Sequence, residues 1–370
     1  MSECQRCTIL PDQPIRTGIL RVAPPMTHTY ANLRRYLERA GIAFSVPAAG
    51  LLEVRITGDL LDRLVGGLDG VLSPLELRET RALLVSEGRA PSPADLTSVM
   101  PLATLIARVQ GAWFNRMIGE SRLTSFFHPI VAAQNPENVF AFECLLRGQD
   151  VDGSLIPPDQ LYRVARETDL LFPLDQAARL TAIRTAAQQG LDIRGMRIFI
   201  NFNPSSIYDP VYCLRSTIAA IAETAFAPDR ITFEIVESDH IHDIPHLVRI
   251  VDRYREAGFR VALDDLGSGF GSLNLLGQLR PDFVKLDMGL IRGVDRDPFR
   301  AGIVLKLLEM AHDLGIQSVA EGVETEEEWD WVRDHRADFV QGFLFARPAC
   351  PPPQPSFRRT QTDQLTAASL

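Results

Sequence analysis

Lysine is nearly missing from this chain. Of 38 basic residues only two are Lys, at Lys285 and Lys306, and the other 36 are Arg. A chain that uses Arg wherever any cation serves places Lys where a compact ammonium is wanted, because Arg is a planar fork that stays charged. Cysteine is sparse as well. Five scattered residues in 370 exclude a disulfide framework. No apolar run approaches the ~18–20 residues of a membrane helix. The opening MSECQRCTILPDQP lacks the charged-then-apolar pattern of a signal peptide. Basic charge is not in excess either, since the net charge is −9, which excludes a highly basic nucleic-acid binder. These absences predict a soluble cytoplasmic protein with neither DNA nor membrane as partner. The 46% hydrophobic content and a mean hydropathy of +0.00 supply ample core and exclude wholesale disorder.

Charge is unevenly placed. Residues 1–115 carry 12 Arg and 11 acids, so the deficit falls entirely on residues 116–370, at net −10. From about residue 124, strand-like runs recur at 126–131, 139–147, 196–203, 230–237, 260–265, 283–287, 317–322 and 338–342. Helical patterns separate them, two ending at Gly258 and Gly315, where a helix-terminating glycine belongs. Alternation of this kind predicts βα units and a parallel sheet, here at the size of a TIM-type barrel. The link AAQNPEN between the first two strands is too short for a parallel crossover. The prediction is therefore an α/β fold, a TIM-like (β/α)8 barrel variant with an antiparallel first strand, preceded by a small α/β N-terminal module.

Glu143, Asn201, Glu234, Asp264, Lys285, Glu321 and Gln341 each fall at or near the C-terminal end of one of these runs. A barrel gathers those ends on one face, where active sites are built. Any single acid after a strand is more often a helix cap. Seven strands ending in such residues together are harder to assign to caps. Asp265, Glu237, Asp287 and Glu324 add carboxylates nearby. Carboxylates at ~4 Å repel by ~4 kcal/mol per pair at an effective dielectric near 20, so such a cluster must protonate or bind cations. Oxygen-only donors suit Mg²⁺ or Mn²⁺. Adjacent Asp264 and Asp265 could feed two ions, the arrangement for in-line phosphodiester hydrolysis. A Schiff-base enzyme would need Lys285 with a depressed pKa, which anionic neighbours oppose.

The stretch 124–348 resembles the EAL domain of bacterial cyclic-di-GMP phosphodiesterases. Its Glu-x-Leu signature is Glu143-Cys144-Leu145, and the blocks INFNPSS, FEIVES, ALDDLGSGFGSL, PDFVKLD, AEGVET and QGFLFARP follow. The resemblance implies hydrolysis of cyclic di-GMP to linear pGpG by two-metal in-line water attack. It implies Glu143, Asn201, Glu234 and Asp264 as ligands of one Mg²⁺ or Mn²⁺, Asp265 for the second ion, and Glu321 beside both. Lys285 would position the attacking water, and Glu237 would hold the loop Asp265–Ser272. Arg147, Leu145, Gln341 and His128 would line the substrate. The family commonly forms a homodimer through this domain. Cys144 stands where Ala is usual, His128 where Gln is frequent, Leu266 for Phe and Asn203 for Ser, and none of these removes a ligand or the Lys. The competing reading is a cyclic-di-GMP receptor or protein-interaction module without turnover.

Outside that stretch no motif is comparably strong. The boundaries expected are 1–120 for a regulatory or sensory module with a connecting helix, 121–350 for the barrel and 351–370 for a disordered tail. Strands at 19–23 and 51–57 and a helix carrying Tyr30, Leu33 and Leu37 build the module, and a helix runs from Leu102 through Met117. Cys4 and Cys7 lack a second pair for a metal site. His240, His242 and His246 read as loop histidines, and Lys306 as surface.

Overall fold

The computed structural model describes residues 10, 14–68, 70–88, 92–207, 209–235, 243–267 and 272–356. Eight strands close a barrel: β1 (Leu123–Ala132), β2 (Asn135–Gln149), β3 (Arg197–Phe202), β4 (Ile231–Ile235), β5 (Arg260–Leu266), β6 (Phe283–Leu286), β7 (Gln317–Ala320) and β8 (Phe339–Val340). All eight predicted strands are present. β2 through β8 run parallel to their neighbours, while β1 pairs antiparallel with both β2 and β8. The short link between β1 and β2 is a hairpin, as its length demands.

Strands covered on both faces read as continuous apolar runs. β4, sequence ITFEI, is buried at every position, so Glu234 stands out as a charge in an apolar strand. Side chains two apart share a face, which stacks the interior in layers. The lower layer joins Ile130, Ala141, Phe199, Ala262, Phe283, Val319 and Phe339. Two residues farther along six of those seven strands stand Glu143, Asn201, Asp264, Lys285, Glu321 and Gln341. On antiparallel β1 the corresponding step is backwards, to His128.

Helix starts are set by caps. Asp297 accepts from the N–H groups of Phe299 and Arg300 ahead of Pro298–Asp313, and Thr325 forms a capping box with Glu328 ahead of Glu326–Asp334. Gly258 and Gly315 adopt φ of +87° and +69° just past their helices, the left-handed termination expected of them.

The chain divides into two compact units. Among the described residues, one holds Leu123–Gly148 and the chain from Asp175 onward; the other holds the chain up to Arg122 together with Gln149–Leu174. In the second unit, strands Gly18–Ala23, Phe44–Ala48, Leu51–Ile56, Arg81–Ser86 and Met100–Pro101 form one antiparallel sheet. Its first four strands, with helix Thr27–Arg39 after the first and helices Leu60–Gly67 and Pro74–Glu79 before the fourth, follow a βαββααβ order, ferredoxin-like with its second helix split in two. Tyr30, Leu33 and Leu37 face its core.

The expected helix from Leu102 to Met117 is two helices, Leu102–Gln110 and Ala112–Gly119, interrupted at Gly111. A Cβ at Gly111 would meet the Ala107 carbonyl at 2.8 Å and Thr168 at 3.0 Å, because helix Pro158–Thr168 packs there. The segment 149–174, which the sequence boundary at 120 assigns to the barrel, clusters with this unit. At the other end, Ser356 donates to the Phe345 carbonyl at 3.1 Å, so the described chain packs six residues into the expected tail. Residues 357–370 lie outside the described residues.

Candidate active site

The second interior layer is a charged cage around one ammonium. Lys285 is 1% exposed. Its Nζ lies 2.7 Å from Glu321 Oε1, 2.8 Å from Glu234 Oε1, 3.2 Å from Asp264 Oδ1 and 3.6 Å from Glu143 Oε2. Glu143 is fixed on its flanks, accepting from Asn201 Nδ2 at 3.1 Å and Gln341 Nε2 at 2.8 Å. Strand register does the gathering: Asn201 pairs with Glu234 across β3 and β4, and His128 pairs with Glu143 across β1 and β2.

Asp264 and Asp265 are consecutive, and in a regular strand they would face opposite sides. A register shift between Leu263 and Leu266 breaks the alternation, with Asp265 at φ +56°. Oxygens of Asp264, Asp265 and Glu321 consequently come within 4.8 Å of one another.

The electrostatics follow from one cation shared among too many acids. Burial would lower the Lys285 pKa, but Asp264, Glu143, Glu234 and Glu321 together hold it well above its ordinary value. Burial raises Glu234 and Glu321 far above the usual carboxylate range and raises Asp264 less, against the pull of Lys285. Burial and neighbouring Asp264 push Asp265 up to about 6. Glu143 is the exception: burial opposes its ionisation, yet Lys285, His128, Gln341 and Asn201 leave it below its ordinary value.

All the donors are oxygens. Glu234 Oε2 is buried and accepts no hydrogen bond from any described residue. A buried carboxylate oxygen without a donor is costly, and an oxygen-only set with such an oxygen fits a hard divalent cation.

At the edge of the cage, Leu145 and Arg147 continue the Glu143 face of β2, and Arg147 stacks over Phe126 at 5.2 Å. His128 Nε2 is buried without a hydrogen-bond partner among the described residues. Two residues there carried no expectation: Phe343, 6.0 Å from the His128 ring, and Arg347, 4.3 Å over Phe343. Their signal was an aromatic and an Arg four apart just after Gln341.

Other expectations resolve individually. Cys144, next to Glu143 and so on the opposite face of β2, is buried. Glu324 instead pairs with Arg292, and Asp287 caps the turn Met288–Ile291. Lys306 is exposed beside Glu309, and His246 Nε2 meets the Ile207 carbonyl at 2.6 Å. Glu237, His240, His242, Cys4, Cys7 and most of the loop after Asp265 lie outside the described residues.

Over residues 112–348 the sequence matches the EAL domain family. The chain belongs to that family. Among its relatives, the probable cyclic di-GMP phosphodiesterase PdeG of Escherichia coli is 29% identical over 242 residues, spanning 63% of this chain and 46% of PdeG. The blue light- and temperature-regulated antirepressor BluF of Escherichia coli is 28% identical, spanning 60% of this chain and 53% of that protein. This EAL-domain chain thus covers about half the length of those two relatives. A standalone EAL protein of Vibrio cholerae, solved with c-di-GMP bound, is 36% identical with a TM-score of 0.57, covering 63% of this chain and 95% of that one. Among the described residues, no helix is long and apolar enough to cross a membrane.

Proposed function

We propose that the barrel hydrolyses cyclic di-GMP to linear pGpG. The observation that carries this reading is a buried Lys285 ammonium within 3.6 Å of four carboxylates at the C-terminal mouth of the barrel. Glu143, Asn201, Glu234, Asp264, Asp265 and Glu321 would hold two Mg²⁺ or Mn²⁺ ions. Bound there, the ions would make a water nucleophilic near neutral pH and offset charge developing on phosphorus. Lys285, kept protonated by its neighbours, donates hydrogen bonds to the attacking water and fixes its position. A compact ammonium does this where the Arg fork is too large. Arg147 grips a phosphate oxygen, Leu145, Gln341 and His128 line the dinucleotide, and Glu237 holds the loop after β5. Water adds at phosphorus as the bond to one ribose oxygen breaks, and that oxygen leaves with a proton.

Residues 1–120 regulate the barrel in this reading, and the chain works in the cytoplasm as a homodimer through the EAL domain. Light scattering on the purified chain tests the dimer. The deciding assay combines purified chain, cyclic di-GMP and Mg²⁺, with products resolved by chromatography. Appearance of pGpG supports the reading. Intact substrate with saturable binding would favour the receptor or interaction alternative, to which the likeness to an antirepressor gives weight.

A further inference from the structure

Four buried polar residues behind the cage carry none of the expected chemistry. Asp175, in helix Leu171–Gln188, is 0% exposed and ion-paired to Arg179 one turn later, itself 2% exposed. Asp175 Oδ1 accepts from the Asn203 N–H at 2.9 Å, and Oδ2 lies 2.5 Å from Ser206 Oγ. Asn203 Oδ1 accepts from the Ser205 N–H at 2.8 Å, and the Ser206 N–H returns to the Asn203 carbonyl at 3.0 Å. One carboxylate therefore pins both ends of the single turn that follows β3. Asn201, whose amide donates to Glu143, stands two residues before the first pin.

Stability is a poor explanation for this arrangement. A buried ion pair pays desolvation twice, and an apolar pair of similar volume often serves a fold as well. Here the repayment is incomplete, because Arg179 Nε has no hydrogen-bond partner among the described residues. What Asp175 supplies, and a Leu could not, is two acceptors aimed at one backbone N–H and one hydroxyl of the same turn. That fixes where β3 ends. We infer that Asp175, supported by Arg179, is a positioning residue that sets the Asn201 side chain against the carboxylate cage and so tunes the affinity for the divalent cation. The cation itself rests on the proposed function.

The test uses the full chain and Mn²⁺ alone, with Kd from calorimetry and Tm measured alongside. Asp175→Leu combined with Arg179→Met removes both charges together. Ser206→Ala removes one pin, and Ser206→Thr keeps the hydroxyl. Leu308→Ala, in the helix Pro298–Asp313, is the control for lost stability. Partners that orient metal ligands typically govern affinity ~10–100-fold. The double variant is expected to weaken Mn²⁺ by at least ~10-fold and Ser206→Ala by a few fold, while Ser206→Thr holds the parent value. Leu308→Ala should lose Tm and keep its affinity. A folded double variant within twofold of the parent overturns the inference, as does affinity that tracks Tm equally in Leu308→Ala. If the double variant fails to fold, the Ser206 pair decides, and equal affinities for Ala and Thr overturn it. A parent that binds Mn²⁺ without cleaving cyclic di-GMP removes the hydrolytic reading alone, and one that binds no Mn²⁺ removes both.

Discussion

Two glutamates, one in each unit, show how surroundings decide what a carboxylate is for. Glu76, in the N-terminal unit, accepts from the Ser73 N–H at 2.8 Å, Thr29 Oγ1 at 2.7 Å and Ser73 Oγ at 2.9 Å. The Ser73 N–H first, then the Thr29 hydroxyl, bring its pKa down to about 2. Glu234, in the barrel, has an oxygen with no donor and shares Lys285 with three other acids, and burial drives its pKa far up. Donors complete a structural carboxylate. A buried carboxylate oxygen left without a donor among crowded acids marks a place built for a cation, and this contrast separates a cap from a site where sequence position alone does not.

The strongest way to break the contrast is to remove the one cation the cage owns. Lys285→Ala and Lys285→Arg are each expected to lower kcat by about a hundredfold or more, the scale of a lost electrostatic or positioning group. Cyclic di-GMP affinity measured in Ca²⁺ should change far less, since Arg147 remains. In the metal-free chain Lys285→Ala should also lower Tm, because acids ~4 Å apart repel by ~4 kcal/mol per pair at an effective dielectric near 20. Added Mg²⁺ should recover that Tm. A Lys285→Arg enzyme within a few fold of its parent would reject the positioning role.

Exchanging the metal probes the cage without touching the chain. Mg²⁺ or Mn²⁺ at ~100 times Kd should stabilise the fold by ~2.7 kcal/mol, seen as a higher Tm that EDTA reverses. Ca²⁺ should support binding with much slower cleavage, because its longer and looser coordination spoils the spacing that activates water. Equal turnover in Ca²⁺ and Mg²⁺ would contradict the two-ion assignment.

A smaller effect is expected from cutting the chain at the sequence boundary. A chain starting at Ser121 leaves helix Pro158–Thr168 without Arg108, whose Nε donates to the Thr168 carbonyl at 2.9 Å, and without helix Leu102–Gln110. Losing even ~2 kcal/mol there lowers Tm by roughly 4–8 °C for a unit of this size. Cleavage should survive. A truncation with the parent Tm would show that 149–174 needs no support from the N-terminal chain, and a folded one that binds metal without cleaving would give the module a catalytic part.

The barrel was legible because its chemistry sits two residues beyond an apolar position on strand after strand. Phe283 and Lys285, or Val319 and Glu321, announce a core layer and a polar layer in three letters. The Asp264 and Asp265 pair was readable as acids, but their convergence depends on a bulge that alternation cannot foretell. Asp175 was hidden because a helix pattern marks its neighbours as core and gives no sign of the loop it holds from 28 residues away. Gly111 read as an ordinary helical position because the helix packed against it lies about fifty residues downstream. Glu324 reads as one more carboxylate near the cage by proximity in sequence, whereas Arg292 draws it aside.

Glu76 offers the smallest effect and the cleanest sign. Its folded pKa of about 2 lies below the ~4.3 of an unfolded Glu. Its stabilisation is therefore fully present above pH ~4.3 and is lost as pH falls through about 2, because protonation then favours the unfolded chain. Glu76→Gln keeps the size of the side chain and removes the charge. Urea denaturation of parent and variant at pH 7, 4 and 2.5 should show the parent ahead at pH 7 and the gap closing towards pH 2.5, whatever the other carboxylates do in both. The cage acids move the other way, since Glu234 and Glu321 are held above their ordinary values and contribute no such acid limb. A gap that stayed constant across pH would mean that Glu76 acts through shape and hydrogen-bond count, and its charge would drop out of the contrast with Glu234.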